Sequence, residues 1–171
     1  MSDNLILVDE ADNVLGFKEK WGCHKINGIK HRAFSIYIFN DKNELLIQKR
    51  SLQKKLWPEF WSNSCCSHPR ENEEDYVKCA EKRLVEELGF TCKLKKMFKI
   101  SYNFKFNNIG SENEIDCVLV GKYNGKVKPN PDEVSEFKWI SVDFLKKDME
   151  KNKEIYTPWF VIGLKKLVKF F

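Results

Sequence analysis

Apolar and polar positions alternate along most of this chain, with helical spacing in the middle and again near the end. NLILVD and VLGFKE, residues 4–9 and 14–19, flank the turn-like DEADN and predict an N-terminal hairpin. HRAFSIYIFN (31–40) reads as a strand rich in bulky and β-branched residues, and after the turn DKN the run ELLIQKR (44–50) reads as another. Residues 51–70, SLQKKLWPEFWSNSCCSHPR, then break every period and predict a long, irregular aromatic loop, a kind of segment that often carries function.

The clearest helix is EEDYVKCAEKRLVEELG, residues 73–89. Val77, Ala80, Leu84 and Leu88 form an apolar stripe, acidic residues crowd the first turn, and Gly89 stands where a C-terminal cap belongs. Strand patterns return in FTCKLKKMFKISYNF (90–104), ENEIDCVLVGKYN (112–124) and SEFKWIS (135–141), the last two separated by the loop GKVKPNPDEV. SVDFLKKDMEK (141–151) and PWFVIGLKKLVKFF (158–171) predict helices, the second amphipathic, with lysines beside Phe, Leu and Val. Packing on the sheet is the favoured reading of that last helix over docking on a membrane surface. Long runs of strands with interposed helices predict an α+β fold, a mixed sheet flanked by helices. No repeat or linker divides residues 1–171, so one domain is expected, large enough to bury a core.

Composition narrows the setting. Aromatic residues make up 13% of the chain and are spread along it, which excludes disorder. No apolar run spans a membrane, and the opening MSDNLILVDE lacks the pattern of an export signal, so a soluble cytoplasmic protein is expected, with monomer as the default state. In that compartment the six cysteines stay reduced; Cys79, Cys92 and Cys117 read as buried filler. The net charge of +5 suits an anionic partner, but no arginine-rich, aromatic-interleaved stretch tracks a nucleic-acid backbone, and none is expected to bind.

The candidate chemistry begins at SNSCCSHPR, residues 62–70, where Cys65 and Cys66 precede His68. Locally these residues suit a zinc clip, a disulfide, a nucleophile or a proton donor, and nothing local decides between them. His24 and His31 flank the polar loop KINGIK, and Glu112 and Glu114, two apart in a strand, project from one face. Adjacent carboxylates repel unless a cation or a proton lies between them. Three imidazoles and two carboxylates make an N/O site for Zn, Mn, Fe or an octahedral Mg-like ion. The rival set Cys23, His24, Cys66 and His68 fits zinc poorly, because its spacing matches neither C-x2-4-C nor H-x3-5-H. On the helix, Glu74, Glu86 and Glu87 with Arg83 could hold a divalent ion near phosphates, or simply form a solvated face. Lys20, Arg50 and Lys54 are placed to meet a diphosphate.

Together KLWPEFWSNSCCSHP, KRLVEELG, YNFKFNNIGSENE and TPWF resemble the type 1 isopentenyl-diphosphate isomerases, a branch of the Nudix-fold superfamily. The resemblance runs from LVDEADNVLG to TPWF, and N-S-C-C-S-H-P combined with E-N-E is its most specific part. A Nudix hydrolase box reads G-x5-E-x7-R-E-U-x-E-E-x-G-U, with U bulky and apolar. Here Glu74, Leu84, Glu86, Glu87, Gly89 and Phe90 fit, whereas His68 replaces the first glycine, and Lys82 and Arg83 replace the R-E pair. That departure weighs against a hydrolase of nucleoside diphosphate derivatives.

The resemblance implies that His24, His31, His68, Glu112 and Glu114 bind a divalent metal (Mn, Mg or Zn), and that Glu87 serves a second Mg arriving with the substrate diphosphate. It implies Cys66, Glu114 and Tyr102 as catalytic residues. Lys20, Arg50, Lys54 and Arg83 become substrate-contacting cations, and Trp159 an aromatic closing over the hydrocarbon. Trp61 offers a second π-face, and Cys65 receives no role. The implied reaction interconverts isopentenyl and dimethylallyl diphosphate, adding a proton at one carbon and removing another at an allylic one. An alkene is a very poor base, so an acid and a base are needed on opposite faces of the substrate with water excluded.

Overall fold

A computed structural model of the chain describes residues 3–73 and 75–171. Nine strands and four α-helices follow one another: β1 (Asn4–Val8), β2 (Val14–Glu19), α1 (Lys20–His24), β3 (His31–Phe39), β4 (Glu44–Arg50), β5 (Trp61–Ser62), β6 (Cys65–Ser67), α2 (Tyr76–Leu88), β7 (Leu94–Phe106), β8 (Gly110–Lys122), β9 (Val134–Ser141), α3 (Val142–Lys151) and α4 (Pro158–Leu167). The α+β expectation holds, with helices on both sides of a mixed sheet.

β3 organises that sheet. It runs parallel to β8, from His31 opposite Glu114 to Phe39 opposite Lys122, and antiparallel to β6. β7 pairs antiparallel with the outer edge of β8, and β4 carries β5 and β9. β3 and β8 are buried along nearly their whole length, as a central parallel pair covered by helices requires. On one face Phe34, Ile36, Ile38, Cys65, Cys117 and Leu119 meet Ala80, Leu84 and Leu88 of α2. On the other, Tyr37, Phe39 and Val118 meet Phe160, Leu164 and Leu167 of α4.

Three stretches differ from the sequence reading. α2 begins at Tyr76 because the Asp75 side chain caps it, accepting from the Val77 and Lys78 amides; Glu73 therefore lies ahead of the helix rather than in its first turn. Gly89 ends the helix at φ 73, and a side chain there would meet the Lys128 carbonyl at 2.7 Å. The loop at 51–70 contains the short strands β5 and β6, made by pairing to β4 and β3 rather than by any local period. The last helix stops at Leu167 and tightens into a 3₁₀ turn over Val168–Phe170. α1 is too short for periodicity to reveal. The Glu19 carboxylate caps it through the Trp21 and Gly22 amides.

Candidate active site

Five segments converge on one point. β3 supplies His31, and its parallel register sets Glu114 of β8 beside it. β7 brings Tyr102 opposite Glu114 and Phe104 opposite Glu112. His68 follows β6 directly, and His24 closes α1, whose next residue, Lys25, bridges to Gly110 at the start of β8. That bridge depends on a glycine, because a Cβ on Gly110 would lie 2.6 Å from the His24 carbonyl oxygen.

The three imidazole rings stand 4.6–5.0 Å apart, and the ligand atoms of His24, His31, His68, Glu112 and Glu114 all lie within 4.8 Å of one another. His24 Nδ1 faces the Lys20 carbonyl at 2.7 Å and His31 Nδ1 faces the Ile29 carbonyl at 2.6 Å. A carbonyl only accepts, so each Nδ1 carries the proton and, in the neutral ring, Nε2 carries a lone pair. Those Nε2 atoms point at carboxylates, His24 at 3.1 Å from Glu112 and His31 at 3.2 Å from Glu114, while His68, whose Nδ1 has no partner, sets its Nε2 2.7 Å from the same Glu114 oxygen. His31 Nε2 and Glu112 Oε2 are buried without a hydrogen-bond partner. Lone pairs crowded against carboxylate oxygens repel unless a cation lies among them. The donor set therefore fits a divalent metal, with the two carbonyls fixing ring orientation from behind.

Electrostatics agree. Burial pushes the Glu114 carboxyl up, but positive charge placed among the neighbouring imidazoles, His31 foremost, outweighs it and brings it down to about 2. Burial and the charges of His31 and His24 hold His68 well below the ordinary imidazole value. Burial draws His24 down, but the charge of Glu112 more than offsets this. The other Glu114 oxygen accepts a hydrogen bond from the Tyr102 hydroxyl. One carboxylate thus turns one oxygen to the imidazoles and the other to the Tyr102 hydroxyl.

The adjoining cavity holds about 350 Å³ and is lined by Cys66, Tyr102, Glu112, Glu114 and Trp159, with Lys20, Arg50, Lys54 and Arg83 also on its walls. Cys66 and the Glu114–Tyr102 pair therefore open onto one space. Burial raises the Cys66 thiol to about 12, against the opposing charge of Arg50, whose Nη1 lies 4.0 Å from the sulfur. The thiol is protonated at neutral pH. Burial, reinforced by Lys54, Arg70 and Arg83, lowers the Lys20 ammonium, so cations crowd here as they do where an anion binds.

Several expected residues sit otherwise than their bare sequence positions suggested. Trp61 does not line the cavity; it lies beneath Lys138, whose ammonium is 4.2 Å from the ring centroid. Glu87 is 2% exposed and outside the lining, bonded to Gln48 at 3.0 Å and to Arg83 at 2.8 Å. Arg50 donates to the carbonyls of Trp57 and Leu56 and clamps the aromatic loop. The rival zinc set is not assembled: Cys23 is turned to the Lys18 carbonyl, 3.5 Å away, and no cysteine joins the ligand cluster among the described residues. Glu74, named with Glu86 and Glu87 above, lies outside the described residues.

Other participants escaped the sequence. Glu133 pairs with both Lys54 and Arg83, and although burial pushes its carboxyl up, their charges hold it at about 2. Asp116 is fully buried beside Tyr102, accepts from Ser35 at 2.7 Å, and is raised to about 8 by burial and the charge of Glu114. The period of two in ENEID carries the signal for Asp116, on the face of Glu112 and Glu114; nothing local marks Glu133.

Comparison with known proteins bears on this geometry. The NUDIX domain family matches residues 29–160. An isopentenyl-diphosphate Delta-isomerase 2 of Aromatoleum aromaticum is 41% identical over 98% of this chain and 88% of its own length. The isomerase of Serratia proteamaculans is 36% identical over 98% of this chain and 92% of its own. A crystal structure of a Deinococcus radiodurans protein shares the fold, with a TM-score of 0.79 at 18% identity, covering 95% of this chain and 98% of that one. A MutT protein of Methanosarcina mazei gives 0.67 at 18% identity, covering 82% and 94%. The chain is a NUDIX-domain protein and belongs to the isopentenyl-diphosphate Delta-isomerase family.

Proposed function

We propose that the protein interconverts isopentenyl diphosphate and dimethylallyl diphosphate by protonation and deprotonation on opposite faces of the five-carbon chain. One observation carries this reading: Cys66 and the hydrogen-bonded Glu114–Tyr102 pair open onto a single cavity whose walls also hold Lys20, Lys54 and Arg83. In one direction, one of the two groups gives a proton to the terminal alkene carbon, leaving a tertiary cation. The other removes a proton from the allylic carbon, and the double bond forms there. The roles exchange in the reverse direction.

Each step asks something specific of these residues. The cation needs a π-face and no water, and the ring of Trp159 supplies about 0.5–2 kcal/mol where desolvated. The diphosphate is remote from the reacting bond, so the basic residues anchor it while the alkene end reacts. His24, His31, His68, Glu112 and Glu114 would hold a divalent metal, whose positive charge would keep Glu114 ionised and oriented. Mn, Mg and Zn all suit that mixed N/O set. Glu87 stands behind the cavity wall, bonded to Arg83 and Gln48, and would serve a second Mg accompanying the diphosphate only by exchanging one of those bonds. Trp61 has no part in this reading.

Incubation of isopentenyl diphosphate with the metal-loaded protein in D2O, followed by NMR, tests it. Dimethylallyl diphosphate carrying solvent deuterium is the expected product. Phosphate release from nucleoside diphosphate derivatives, with no deuterium entering isopentenyl diphosphate, would instead establish the hydrolase alternative.

A further inference from the structure

The hydrocarbon end of the cavity is built in two layers. Leu56 and Trp159 form the inner one and line the space directly. Trp57 lies behind them, 4% exposed and outside the lining. Its ring stands edge-on to Trp159, 5.2 Å between centroids at 88°, and rests against Phe106 at 4.9 Å.

Packing alone fixes the Trp159 ring. Its indole N–H is buried and finds no acceptor, so no hydrogen bond sets the angle of the ring. Trp57 meets it edge-on, and the Arg50 guanidinium lies 5.4 Å from its centroid.

Trp57 is itself held in an unusual state. Its φ is 47, a left-handed conformation that bulky side chains rarely adopt and that persists only where the surroundings enforce it. Arg50 does the enforcing. Its Nε donates to the Trp57 carbonyl at 3.0 Å and its Nη2 to the Leu56 carbonyl at 2.9 Å. One guanidinium thereby fixes both layers of the wall.

We propose that Trp57 is a specificity-determining residue: by backing Trp159 it sets the depth of the hydrocarbon end and confines the cavity to a branched five-carbon chain. The choice of ligand rests on the isomerase reading; the geometry of the wall does not. Interiors are close-packed, so a side chain one layer back controls how far the front layer can recede. A smaller residue at 57 gives the Trp159 ring room to tilt, and a diphosphate with one more methylene then fits.

The test compares the wild type with Trp57→Phe and Trp57→Leu. Calorimetry measures binding of two saturated, unreactive ligands, 3-methylbutyl and 3-methylpentyl diphosphate, and turnover is measured with isopentenyl diphosphate and its 3-ethyl homologue. Preference for the longer ligand should rise stepwise, Phe then Leu, reaching about tenfold or more in the Leu variant in both Kd and kcat/KM, the scale of one methylene in an apolar pocket. An unchanged preference in a folded variant overturns the proposal, as does an equal shift in Trp61→Leu, which loosens a tryptophan outside the cavity. Should the Leu variant fail to fold, Trp57→Phe and Phe106→Leu, which removes the support behind Trp57, must both shift the preference the same way; failure of either while folded also overturns it. A wild type that binds both saturated ligands but isomerises nothing would refute the isomerase reading, and the binding ratios would still decide the role of Trp57.

Discussion

The two faces of β3, β6 and β8 put neighbouring residues to opposite uses. On the α2 face, Cys65, Cys117, Phe34 and Ile36 are sealed among Ala80, Leu84 and Leu88. On the cavity face, one residue along each strand, stand Cys66, Glu114, Asp116, Ser35 and His31. Cys65 and Cys66 share a backbone and a chemistry, yet one is fully buried filler and the other lines a cavity together with Glu112 and Glu114. A strand sends successive side chains to opposite faces, so a single step along it separates stability from chemistry. The chemical face tolerates buried charge only because every charged group there has a partner or a cation site.

Substitution at the cysteine pair should break this contrast most visibly. Cys66→Ala is expected to lower isomerase turnover by about 100- to 10,000-fold, the range of a positioned acid or base, with metal content and melting temperature nearly unchanged. Cys65→Ala should do the reverse, costing about 1 kcal/mol of stability with turnover within a few-fold of wild type. Elemental analysis, thermal melts and the NMR assay read both; comparable loss of activity in the two variants would erase the distinction between the faces.

The metal cluster gives the next effect. His24→Ala should weaken metal affinity by roughly 100-fold, measured by competition with a chromophoric chelator, and turnover should fall with occupancy. Retained metal with lost activity would detach the cluster from ion binding.

Glu133 sharpens the comparison at the cavity rim. Its folded carboxyl, at about 2, lies below the ordinary 4.5, so its contribution to stability is present above about pH 4.5 and is lost as pH falls towards 2. Partly exposed, the pair is screened, and Glu133→Gln should cost about 1 kcal/mol at neutral pH. Urea melts across pH should show that gap closing below pH 4.5; a gap independent of pH would refute the pairing. Smallest of all, Trp61→Phe should change KM for isopentenyl diphosphate by less than about twofold, because the ring lies outside the cavity. A tenfold rise would return Trp61 to the substrate.

Much of the fold was legible because period-two and helical patterns are local. The hairpin, β3, β4, β8 and α2 all appear near their expected limits. α1, β5 and β6 did not, since five-, two- and three-residue elements exist through capping and pairing to distant strands. The metal cluster was legible in residue type, and in the two-apart spacing of Glu112 and Glu114. The wiring around it was not: Glu133 reaches Lys54 and Arg83 from a loop far along the chain, and Arg50 turns out to clamp Trp57 and Leu56.

The sequence by itself determined which side chains share a face, because φ and ψ preferences and strand alternation act between neighbours. It thereby set Glu112, Glu114 and Asp116 together and parted Cys65 from Cys66. Only the tertiary structure decided that His24, His31 and His68 meet those carboxylates, that Trp61 faces Lys138 outside the cavity, and that Trp57 packs edge-on against Trp159. Such contacts are fixed by packing and by the parallel register of β3 on β8, which brings residues more than eighty positions apart into one site.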